Sequence, residues 1–88
     1  MRARIGDELV RGCWRLLAEG RPYKALYRSE HALRTYRPPM DTLLAGRLYL
    51  IVGVCLAALG RRRAANHYLR DASWALENAW DSTPGEPS

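Results

Sequence analysis

The sequence predicts an all-α fold of four helices arranged as two antiparallel hairpins, and three observations lead there. Leu and Ala dominate an apolar fraction of 48%, Phe is absent and β-branched residues are few, a composition that favours helix over strand. Apolar residues recur at helical rather than alternating spacing. Glycine and proline fall between the periodic stretches, at Gly20, Pro22, Pro38, Pro39 and Gly60, where they punctuate regular structure.

The first helix is expected over residues 4–19, with Ile5, Leu9, Cys13 and Leu16 on one face and Val10, Trp14 and Leu17 widening the apolar sector. Gly20 ends it. Pro22 suits the first turn of a second helix, because its missing N–H has no helical partner there anyway. That helix carries Ala25, Leu26, Ser29, Ala32, Leu33 and Tyr36 until Pro38 and Pro39 stop it. Asp41 is placed to cap a third helix over 42–59, closed by Gly60 in a left-handed conformation. The fourth starts within 61–63 and runs to 80, with Ala65, Leu69, Ala72, Leu76 and Ala79 as its core stripe. Residues 81–88 hold Pro84, Gly85 and Pro87 and no apolar anchor, so residues 1–80 form the expected domain and the rest a disordered tail.

A chain of 88 residues makes one small domain that buries only about 60 to 65% of its unfolded surface, so a partner or a second copy would stabilise it. The net charge is +5, and 13 of the 14 basic residues are arginine. That excess fits an anionic partner such as nucleic acid, or an arginine bias with no functional meaning. Cys13 and Cys55 both fall in apolar helical stretches and read as free core thiols. The first six residues are basic but are followed by Asp7 and Glu8 where a signal peptide needs an apolar core, which points to the cytoplasm. The apolar stretch over 43–59 is interrupted by Arg47, and its clean run is shorter than the roughly 20 residues a membrane span needs. It reads as the most buried helix of a small domain.

Shifting the chain by 40 residues superposes Leu16 on Leu56, Gly20 on Gly60, Ala25 on Ala65 and Ala32 on Ala72. In the second unit the order Tyr49, Val52, Gly53, Leu56, Gly60, Ala65, Leu69 and Ala72 resembles one tetratricopeptide repeat. The likeness covers about 70 of the 88 residues. It is weaker in the first unit, where Cys13 stands for Gly53 and Ser29 for Leu69, and the repeat is lengthened around 38–42. The resemblance implies a short α-solenoid built for binding another polypeptide, without chemistry and without a cofactor. The small repeat-type chaperones of bacterial secretion systems are similar chains.

In such repeats the first helix of each hairpin lines an inner face. The resemblance therefore assigns partner binding to Val10, Trp14 and Leu17, beside Asp7, in the first unit, and to Arg47, Leu50 and Val54, beside Ala57, in the second. The face is mostly apolar and suits an amphipathic helix or an extended hydrophobic segment. Folding of the same residues into the chain's own core is the competing expectation. Trp74 projects away from the Ala65, Leu69, Ala72 and Leu76 stripe, beside Arg63, His67 and Arg70. It reads as an interface anchor, a base-stacking group or a ring covered by the tail.

Two classes of function follow. The first is a non-enzymatic adaptor or chaperone that takes a helical or hydrophobic segment of a protein partner, or a second copy of itself. The alternative is a basic nucleic-acid binder whose contacts are residues 61–63, His67, Arg70 and Trp74. His31 and His67 are too isolated to make a metal site, and no nucleophile, phosphate-loop or dinucleotide signature occurs.

Overall fold

The computed structural model describes residues 2–35 and 42–81, with side chains described over 6–35 and 43–78. Within them lie α1 (Arg2–Ala18), α2 (Pro22–Thr35), α3 (Thr42–Ala58) and α4 (Arg62–Asp81), with no strand among the described residues. The fold is all-helical, as the composition predicts. α4 takes in Asp81, one residue past its expected end, while Asp41, the double proline and residues 82–88 lie outside the described residues.

Each short turn is built from the same hydrogen bonds. After α1, the Arg21 N–H donates to the Leu16 carbonyl at 2.9 Å and the Gly20 N–H to Leu17 at 3.0 Å. After α3, Arg61 donates to Leu56 at 2.8 Å and Gly60 to Ala57 at 3.0 Å. This crossed pair satisfies carbonyls that a helix end leaves open, and it requires a left-handed residue between them. Gly20 and Gly60 supply it at φ 75° and 80°. The next helix starts at once, because Arg21 and Arg61 accept from Ala25 and Ala65 at 3.2 and 3.0 Å.

α3 is the central element and packs against α1, α2 and α4. Its lack of a polar face is thereby explained: Leu48, Ile51 and Cys55 meet Val10, Cys13, Leu16, Ala25 and Ala32 in one cluster. On another side Val52 and Leu56 join Ala65 in a second. No helix among the described residues is long and apolar enough to cross a membrane.

Glycines on α3 set the approach of α4. A Cβ at Gly46 would lie 2.9 Å from Leu76 Cγ, and one at Gly53 would lie 2.7 Å from Leu69 Cδ2 and 2.8 Å from its Cγ. The large side chain of α4 thus occupies the space a larger residue on α3 would fill. In the first unit the sizes are redistributed, with Cys13 in place of the glycine and Ser29 in place of the leucine, both fully buried. The Ser29 hydroxyl is satisfied inside its own helix, donating to the Ala25 carbonyl at 2.8 Å.

The two outer faces differ from the internal interface. Leu48, Ile51 and Cys55 are buried under the first two helices, whereas Glu8, Arg11 and Arg15, at the equivalent places on α1, are exposed. Likewise Leu26 and Leu33 of α2 pack into both clusters, whereas their counterparts on α4, Asn66 and Ser73, are exposed.

Candidate partner-binding face

α1 and α3 are brought side by side by small residues and one ion pair. A Cβ at Gly6 would touch Leu44 at 3.3 Å. One position on, Arg47 Nη1 donates to Asp7 Oδ1 at 3.2 Å, both side chains being about half exposed. The two partners are 40 residues apart, so equivalent positions of the two units face each other. In such solvent the pair contributes no more than about 1 kcal/mol, and its value is in alignment rather than stability.

From this pair two rows of apolar side chains run towards the turns. On α1 they are Val10, Trp14 and Leu17, and on α3 Leu50 and Val54. Trp14 is 38% exposed, while Leu17, Leu50 and Val54 are half-buried. Val10 is only 9% exposed and belongs to the core cluster, so it supports this face from beneath and offers little area to a partner. Its burial follows from the width of the α1 apolar sector, which meets both α2 and α3. Leu17 also leans on that cluster.

Trp74 is elsewhere, on the outer side of α4, and is 64% exposed. Its backbone carbonyl accepts from Asn78 Nδ2 at 2.7 Å. Arg63, His67 and Arg70 are exposed with it, and so are Asp71 and Glu77. The seven residues singled out from the sequence therefore occupy two surfaces, six on or beneath the α1–α3 face and one on α4.

The chemistry open to the interior is limited. Burial raises the Cys13 thiol pKa and pushes that of Cys55 up to about 11, with Cys13 adding to the rise at Cys55. Both stay protonated near neutrality and are poor nucleophiles. Both are free. Among the described residues no group of His, Cys, Asp or Glu is arranged to hold a metal ion.

A row of rings on α2 escaped the sequence reading. Tyr23, Tyr27 and His31 are all exposed, the tyrosines by 70% and 65%, and the Tyr27 and His31 rings lie 15° from parallel with centroids 6.2 Å apart. The signal was available as a spacing of four residues opposite the buried Ala25, Ser29 and Ala32.

Compared with known proteins, the chain matches no family model, no curated protein and no solved structure.

Proposed function

We propose that the protein is a non-enzymatic binding module of tetratricopeptide type, an adaptor or chaperone whose α1–α3 face receives an amphipathic helical segment of a partner protein. The observation that carries this reading is the Asp7–Arg47 contact between equivalent positions of the two units, since adjacent first helices are what such a solenoid aligns along its inner face. Two antiparallel hairpins are supported by the pairing of Gly46 with Leu76 and of Gly53 with Leu69, in which α3 ascends as α4 descends. Residues in the third helix that meet both α1 and α2 fit stacking of the second hairpin on the first.

The occupant is a helix because the face presents apolar positions in two parallel rows, which an amphipathic helix can meet with positions three and four apart. Trp14 is the anchor: a large, half-exposed ring in the middle of the row is the residue type that dominates interface energetics.

The test is a titration of a Leu-faced amphipathic helical peptide into the Trp74→Phe/Trp80→Phe variant, in which Trp14 is the remaining tryptophan. Saturable binding at micromolar peptide with a blue shift of Trp14 emission is expected, and Trp14→Ala should weaken binding by about 30-fold, the effect of losing a hot-spot side chain. An unmoved Trp14 spectrum across the titration, or full affinity in Trp14→Ala, would refute the assignment.

A further inference from the structure

We infer that the outer face of α2 is a second binding surface, for single-stranded nucleic acid, with Tyr23, Tyr27 and His31 stacking on bases and Lys24, Arg28 and Arg34 meeting phosphates. The three rings sit on successive turns, so they repeat at about 6 Å along the helix, a spacing that suits a strand whose bases are drawn apart and offered one by one. All six side chains are exposed. Arg28 reaches back towards α1, its Nη1 3.7 Å from where a Gly12 Cβ would stand, and so borders the row on that side.

The core gives these rings no role: both tyrosines are well exposed, and Tyr27 stacks on its own-helix neighbour His31. At the equivalent places on α4 the repeat carries Arg63, His67 and Asp71 instead, and α4 folds onto α3 without an aromatic row. Charge selects the ligand. The exposed α2 face holds three fixed positive charges and no carboxylate; Glu30 lies at its inner border, half-buried and close enough to Cys55 on α3 to help raise that thiol's pKa. The α4 face, by contrast, mixes Asp71 and Glu77 among its arginines, which weakens its pull on a polyanion.

A single strand fits better than the other anions. An acidic peptide would use the cations and leave three rings idle. An anionic membrane would want a broad Trp, Phe or Leu face to insert, and this face offers two tyrosines and a histidine, each with a polar atom on its ring. Duplex DNA keeps its base faces stacked inside, where Tyr23 and Tyr27 cannot reach them; separated bases stack on aromatic rings whatever their sequence.

Fluorescence anisotropy of a labelled 15-nucleotide oligo(dT), with the full chain, tests this. Three phosphate contacts predict a log–log salt slope of about −2, a loss of about 20-fold in affinity between 50 and 200 mM salt. Tyr23→Ala and Tyr27→Ala should each weaken binding by about 5-fold or more, Tyr27→Phe should retain it, and Lys24→Gln/Arg34→Gln should flatten the slope. Trp14→Ala, on the other face, should leave oligonucleotide affinity unchanged, so this surface and the helix-binding face are tested separately. Since the substituted positions are exposed, circular dichroism should be unaltered in every variant. The inference is overturned if the tyrosine variants bind as wild type. It is equally overturned if a 15-base-pair duplex, polyglutamate or phosphatidylserine vesicles bind as tightly as oligo(dT) does.

Discussion

Cys13 and Cys55 share one apolar cluster, and the folded chain holds the thiol proton of Cys55 up to about pH 11 against an ordinary value of 9.0. Burial disfavours the thiolate, so the folded state binds this proton more tightly than the unfolded one. The sign follows directly. The stability linked to Cys55 is fully present below about pH 9, the unfolded value, and is lost as pH rises through about 11, with Cys13 shifted in the same direction. Urea unfolding at steps between pH 8 and 11 should therefore show the wild type weakening more steeply than Cys13→Ala/Cys55→Ala, which differs from it only at the two thiols. Parallel curves for the two proteins would remove the cysteines from the explanation. The burial of these thiols was legible from their place in apolar helical stretches. Their proximity was not, because it depends on which face of α1 turns towards α3.

Between helices, size complementarity decides the spacing. Gly53 leaves room for Leu69, and the first unit places Cys13 and Ser29 at the matching positions. Gly53→Cys alone should destabilise the protein by about 1 to 3 kcal/mol, since Leu69 Cγ cannot swing clear as a flexible chain end would. Adding Leu69→Ser should recover part of that loss if the first unit's pair is a working alternative. Thermal unfolding of the two singles and the double gives the coupling; strict additivity would mean the positions do not share one space. Gly20 and Gly60 were readable in advance because a left-handed turn leaves few options besides glycine, and the helix limits other than the end of α2 followed within two residues; the expected reach of α2 through Tyr36 lies outside the described residues. The weak first unit looked like a departure from the pattern, since a sequence shows residue sizes one at a time and not the sum across a contact. Asp7 and Arg47 were each assigned to the inner face by the resemblance, but their contact was not legible, because it shows only once the helices are aligned. Val10 was grouped with Trp14 by periodicity, but periodicity cannot say that a neighbouring helix covers one and leaves the other partly bare.

Across the whole molecule, the polar residues on the outer faces of α1 and α4 argue against end-to-end stacking of copies. Glu8, Arg11 and Arg15 stand where the internal interface has Leu48, Ile51 and Cys55, and Asn66 and Ser73 where it has Leu26 and Leu33. Sedimentation of the wild type should show no open-ended growth with rising concentration. Glu8→Leu/Arg11→Ile/Arg15→Ala combined with Asn66→Leu/Ser73→Leu should instead form head-to-tail oligomers, because each end then carries the apolar pattern with which α3 meets α1 and α2. A wild type that already assembles through these faces would contradict the prediction. If it holds, length in this architecture is governed by a handful of solvated side chains, at sites where replacement disturbs folding least. Lineages could then switch between a solitary clasp and a growing filament by surface drift alone, with the interior left as it is.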